Sequence, residues 1–177
     1  MIKKHSTTIL VFITLFLLAF FSRLISHAWN FTLIGAVALF AGAYFANKSV
    51  SIGLIILSLF VSDAVIGFHN QMPAVYGSYL LIVALGFILD RNDSKNSRFK
   101  ILGLSILGSS LFFLITNFSV WYQGTFYAAN FQGLVECYLM GVPFFKNQFA
   151  SDVIGSLVLF EVAFRLPIYH ARPGQSV

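Results

Sequence analysis

Six apolar blocks, each ended by charged or turn-forming residues, constrain this chain more than any other feature. They cover 9–25, 33–46, 50–68, 74–89, 101–118 and 150–166. Blocks of about 14 to 19 residues approach the roughly 17 to 25 that a helix needs to cross a hydrocarbon core of about 30 Å. Only 10% of the 177 residues are charged and 58% are apolar, whereas a soluble domain has about a quarter charged. The pattern predicts an all-α integral membrane bundle of six transmembrane helices, forming one domain over 1–177. Block 33–46 is short for a crossing, so it either extends back through Phe31 or packs where the bilayer thins. Between the fifth and sixth spans, 126–145 is interrupted by Asn130, Gln132, Glu136 and Pro143. It reads as a short extra helix lying at the membrane surface or dipping into it.

Basic residues orient such a chain, because short cytoplasmic loops are enriched in Lys and Arg. With the amino terminus inside, six spans put Lys3, Lys4, Lys48, Arg91, Lys95, Arg98, Lys100, Arg165 and Arg172 on the cytoplasmic side. Only Arg23 and Lys146 of the 11 then lie outside. Both termini are therefore expected in the cytoplasm. The net charge of +5 is accounted for by these block ends, which argues against a nucleic-acid partner. Lys3 and Lys4, the following apolar run and Ser26-His27-Ala28 together resemble a cleavable secretory signal. The length of the run and Arg23 in the cleavage stretch favour an uncleaved first span.

Ionisable groups inside a span cost about 2.5 to 3.5 kcal/mol at a helix centre, so each asks for a reason. Asp63 lies two thirds of the way along the third block. It reads either as a ligand-site carboxylate or as a packing group bonded by Ser62 or a neighbouring helix. Beyond it, His69 and Asn70 fall in a tight turn between Gly67 and Pro73, with His69 either a ligand contact or simply solvated. Asp63 and His69 are expected to share one outward-open cavity. His27, Trp29 and Asn30 precede the second span, and Asn117, Trp121, Tyr122, Gln123 and Tyr127 follow the fifth. Together, Asp63, His69, Asn70, Asn30, Asn117, Trp121 and Tyr122 form the candidate substrate-binding set. For Trp121 and Tyr122 the alternative is an aromatic belt at the bilayer interface.

Other polar residues read as structural. Asp152 is expected to cap the last span at its outer end. Glu161 precedes Arg165 by four residues, the favourable order for an intrahelical ion pair. Ala38, Gly42 and Ala46 make a small-residue ladder suited to close helix packing, either within the bundle or against another subunit. Glu136 faces either water or a cavity mouth. Cys137 is the only cysteine, which excludes an internal disulfide and a thiolate metal cage. The chain has no phosphate-cradling loop, no His-Glu-x-x-His pair and no Gly-x-Ser-x-Gly turn. No enzyme activity, no cofactor and no metal site are expected.

The stretches 30–45, 62–69 and 116–121 resemble a family of small, functionally uncharacterised bacterial membrane proteins. That family in turn is similar to the S components, the substrate-binding subunits of energy-coupling-factor vitamin transporters. The resemblance implies six helices in the bacterial inner membrane and high-affinity binding of a vitamin or cobalamin-like molecule, with His69 as a potential cobalt ligand. It also implies a transmembrane coupling protein with ATPase subunits as partner. S components usually dock that partner through an Ala-x-x-x-Ala motif in the first helix. Here the first span has only Ala19 in its core, and the small-residue ladder falls in the second. The functional expectation is a membrane-embedded binding and uptake subunit for a small water-soluble molecule. The alternative is a non-transporting membrane protein serving assembly or signalling.

Overall fold

The computed structural model describes residues 2–25, 30–89 and 97–165. His27, Trp29, Arg91, Lys95 and Arg172, and the sequence readings attached to them, lie outside these residues. All regular structure among the described residues is helical: α1 (Ile2–Leu24), α2 (Ile34–Tyr44), α3 (Lys48–Ile66), α4 (Met72–Gly86), α5 (Ser97–Tyr122) and α6 (Phe131–Arg165).

Local chemistry sets several boundaries. Asn47 caps α3 by accepting from the Ser49 amide at 3.0 Å. Pro73 sits in the first turn of α4, where its missing N–H has no intrahelical partner to lose. At the end of α3 the chain turns through Gly67 at φ +116°, a conformation open chiefly to glycine. Successive helices run up and down, and the contacts between them keep register. Arg23 near the end of α1 meets Asp63 near the end of α3, while Arg98 at the start of α5 meets Glu161 near the end of α6.

The centre of the bundle is α2. Its 11 residues are all buried, and it touches each of the other five helices. A helix apolar on every side belongs inside a structure, and at about 16 Å it is too short to cross a bilayer core alone. Small residues let its neighbours approach. Gly42 lies directly on the Val83 carbonyl and Gly86 of α4, and a Cβ on either glycine would overlap the opposing backbone. Gly155 of α6 sits against Ala36, and Phe40 packs edge-on against Phe160 with ring centres 5.0 Å apart. The ladder is thus used within the bundle. It is also shorter than expected: Ala46 lies beyond the helix end and is exposed, and the partner glycine is Gly86.

Among the described residues, three helices are long and apolar enough to cross a membrane: Ser6–Leu24, Lys48–Ile66 and Arg98–Tyr122. Each exposes large apolar side chains, including Leu10 and Phe21 on α1, Phe60 on α3 and Leu114 on α5, as a lipid-facing surface would. α2 and α4 are shorter apolar helices.

Two expectations are corrected. The stretch 126–145 holds no separate short helix, because α6 runs unbroken for 35 residues through Pro143. A proline ends a helix when nothing compensates the lost hydrogen bond. Here both halves are held along α5. Tyr138 donates to the Leu114 carbonyl at 2.8 Å, and the Phe113 ring contacts both Tyr138 and Phe145 at 5.6 and 4.6 Å. The fifth helix likewise continues to Tyr122, so Trp121 and Tyr122 belong to its last turn and not to a loop.

The glycine contact gives a direct expectation. Gly42→Leu forces α2 and α4 apart and should cost at least the 1 to 3 kcal/mol typical of overpacking. Gly103→Ala, with nothing within 4 Å of the added Cβ, should not lower stability. Thermal unfolding of the two purified variants compares them.

Candidate functional site

The α3–α4 and α5–α6 connections gather at one end of the bundle, where Gln123 donates to the Asn70 carbonyl at 3.3 Å, together with Asn30 ahead of α2. Three groups of polar residues lie at or below this end.

The first group is an ion pair. Asp63 is fully buried and accepts from the Arg23 guanidinium at 2.5 Å and from the Tyr76 hydroxyl at 2.8 Å. α1, α3 and α4 are joined by this one carboxylate. Ser62 does not contribute to it, since its hydroxyl turns back to the Ser58 and Leu59 carbonyls. Arg23 thus answers a carboxylate within the bundle.

The second group lies deeper. Asp152 is 3% exposed and accepts from the Ser109 hydroxyl at 2.8 Å and from the Gln148 amide at 3.4 Å. Its carboxylate also rests on Gly35, in the first turn of α2, where a side chain would take its space. There it faces the positive end of the α2 dipole. The capping role expected for Asp152 is therefore corrected: with α6 continuous from Phe131, residue 152 lies far inside the helix and has no free amides to cap.

Between these groups lies a cavity of about 320 Å³. Asn30 and Gln71 line it from the connections. α5 contributes Phe112, Phe113, Thr116 and Asn117, and α6 contributes Gly141, Phe144, Phe145 and Gln148. Its polar groups are neutral amides and one hydroxyl, and its apolar walls are largely aromatic. A pocket of this size, mostly apolar with a few convergent polar groups, is the common form of a small-molecule site. Gln148 ties it to the second group, being both a cavity wall and the donor to Asp152.

Two other hollows differ in kind. One of about 410 Å³ at the far end is flanked by Arg98, Glu161 and Arg165, already joined to one another at 2.9 and 3.1 Å. The Glu161–Arg165 pair expected from its spacing is present, and Arg98 of α5 extends it. The other, about 450 Å³ along α1, is almost wholly apolar.

The cavity brings together Asn30 and Asn117 of the sequence candidates. Asn30 holds a left-handed backbone at φ 61°, which asparagine tolerates well. Asp63 lies outside the cavity in its ion pair, and His69 and Asn70 are exposed on the turn. Trp121 fastens the α5–α6 connection by donating to the Ala128 carbonyl at 3.0 Å, and Tyr122 is exposed and stacks on Phe118. Glu136 is exposed and Cys137 buried. Gln71, Gln148 and Tyr76 are the residues that sequence reasoning missed. Gln148 carried a usable signal, since a glutamine four residues before an aspartate on one helix face is a hydrogen-bonding spacing. Among the described residues no group of His, Cys, Asp and Glu is placed to hold a metal.

Residues 3–170 match the model of a family of unknown function, DUF6580, and the chain belongs to that family. No curated protein and no solved structure matches the chain.

Removing Arg23 strands a buried carboxylate, so Arg23→Met should cost about 3 to 5 kcal/mol. Tyr76→Phe removes one hydrogen bond and should cost about 1 kcal/mol. Replacing both charges, as Arg23→Met with Asp63→Leu, should recover most of the first loss. Melting temperatures of the three variants in detergent test the order.

Proposed function

We propose that the protein is a membrane-embedded binding and uptake subunit for a small water-soluble molecule, held in the cavity between α4, α5 and α6. The observation that carries this reading is the cavity itself, a built hollow of amides and aromatic rings at the end where the connections converge. In this reading the chain crosses the inner membrane of a bacterium six times, with both termini cytoplasmic and the cavity end outside. The short helices α2 and α4 are compatible with six crossings because α2 has no lipid-facing side and α4 is covered on one face. The likeness to S components, drawn from sequence pattern, supports transport in preference to enzymatic work. Because the α2 ladder is occupied by α4 and α6, it offers no docking surface. The apolar stripe of α1 through Leu10, Ile13, Leu17 and Phe21 is left for lipid or for a transmembrane coupling protein with ATPase subunits.

Native mass spectrometry of protein purified from its own membranes tests the binding role. A releasable small molecule should accompany the wild type and be missing from Thr116→Phe, which fills the cavity. A wild type that carries nothing, and binds nothing from a vitamin panel, returns the polar end to a purely structural role in assembly or signalling.

Cysteine labelling tests the orientation, in a Cys137→Ser background. Thr125→Cys, on the exposed α5–α6 connection, should react with an impermeant maleimide in intact cells. Ser49→Cys, at the opposite end, should react only after permeabilisation. The reverse result would invert the topology.

A further inference from the structure

The hydrogen-bond polarity of the cavity follows from which amide atoms are already used. Asn117 donates through Nδ2 to the Phe113 carbonyl at 2.8 Å. A carbonyl can only accept, so the NH2 group must face it and Oδ1 is the atom left over. The leftover oxygen lies against Gly141, a cavity residue with no side chain to meet it. Gln148 is 3% exposed and donates through Nε2 to the Asp152 carboxylate at 3.4 Å, which again assigns the NH2 inward and leaves Oε1 as acceptor. Ser109 donates to that same carboxylate oxygen and fixes the arrangement from the other side. The third amide, Gln71, has a buried Oε1 with no hydrogen-bond partner. An unmatched buried acceptor is costly, so it calls for a donor.

Charge points the same way. Among the described residues, the charged side chains inside the bundle near this end are the partly buried Arg23 and the buried Asp63 and Asp152. The first two neutralise each other, and Asp152 is met only by neutral donors. Among the described residues no unpaired buried cation lies beside the cavity to oppose a positive ligand, and Phe112, Phe113, Phe144 and Phe145 supply ring faces that attract cations.

We infer that the cavity selects a small, donor-rich organic cation of the protonated amine or amidine class, held by the oxygens of Gln71, Asn117 and Gln148. The inference rests on the binding role proposed above and names the substrate class. Asp152 and Ser109 act as positioning residues: they do not touch the ligand but keep the Gln148 oxygen turned toward it.

Three probes of one size separate donors from charge: benzamidinium is a cation with N–H donors, phenyltrimethylammonium a cation without them, and benzoate an anion with acceptors only. Saturation-transfer NMR on the full chain in phosphatidylcholine nanodiscs, with empty discs subtracted, reads their binding. Benzamidinium should bind at least tenfold more tightly than either of the others. Gln148→Leu should weaken it fivefold or more with its melting temperature showing a folded protein, and Val120→Trp, which fills the cavity from its α5 wall but keeps Gln71, Asn117 and Gln148, should abolish it. Ser109→Ala should reduce the preference for benzamidinium over phenyltrimethylammonium. Equal binding of the two cations, or tighter binding of benzoate, overturns the donor-rich cation while leaving the binding role standing, provided Val120→Trp removes it. Binding of no probe to the cavity, with no molecule co-purifying, overturns both.

Discussion

A helix with no outward face governs this structure. α2 can sit at the centre only if five neighbours reach its backbone, and small residues permit this: Gly42 against Gly86, Ala36 against Gly155 and Gly35 beneath Asp152. Without a strong hydrophobic drive between helices in lipid, close van der Waals approach of this kind holds a bundle together. The larger rings fill what the small residues leave, with Phe40 and Phe160 closing the far side of α2. α4 and α6 pack most extensively on this short rod, while α1 is held chiefly by α3, and α5 by α6 and α4. The cavity is lined by α4, α5 and α6 and the connections at their shared end.

Polar groups are then organised in two different ways around the same centre. Asp63 is answered by a full charge and serves three helices as a fixed point. Asp152 is answered by a hydroxyl, an amide and the end of a helix, none of which carries a full charge. The first arrangement is self-contained. The second reaches a cavity wall through Gln148.

Much of the architecture was legible because hydrophobic blocks in lipid are bounded by the cost of burying charge. The blocks at 33–46, 50–68 and 74–89 each fall within a few residues of a helix. What misled was local punctuation. Pro143 reads as a break, yet packing along α5 carries α6 through it, and this moves Asp152 from a helix start to a helix interior. The Gly42 contact was legible from spacing, but Gly86 was not, since its role depends on which helix lies opposite. At the site, Asn30 and Asn117 stood out as polar residues near block ends. Gln71 and Gln148 did not, because an amide gains meaning only from the partner it has already taken. Asp63 stood out as a group needing a reason, and its partner lies 40 residues earlier, in an arginine that the basic pattern set apart on the outer side.

That separation has a consequence for biogenesis. The amino-terminal helix emerges first, with Arg23 in its last turn and its counter-ion not yet made. At about 5 to 20 residues per second, the 40 residues to Asp63 take roughly 2 to 8 s to synthesise. Throughout that interval α1 must keep its guanidinium at the polar margin of the bilayer, where a long side chain can reach water. The contact with Asp63 becomes possible only once α3 has been made, so this tie between the first and third helices is the product of a late meeting of distant segments.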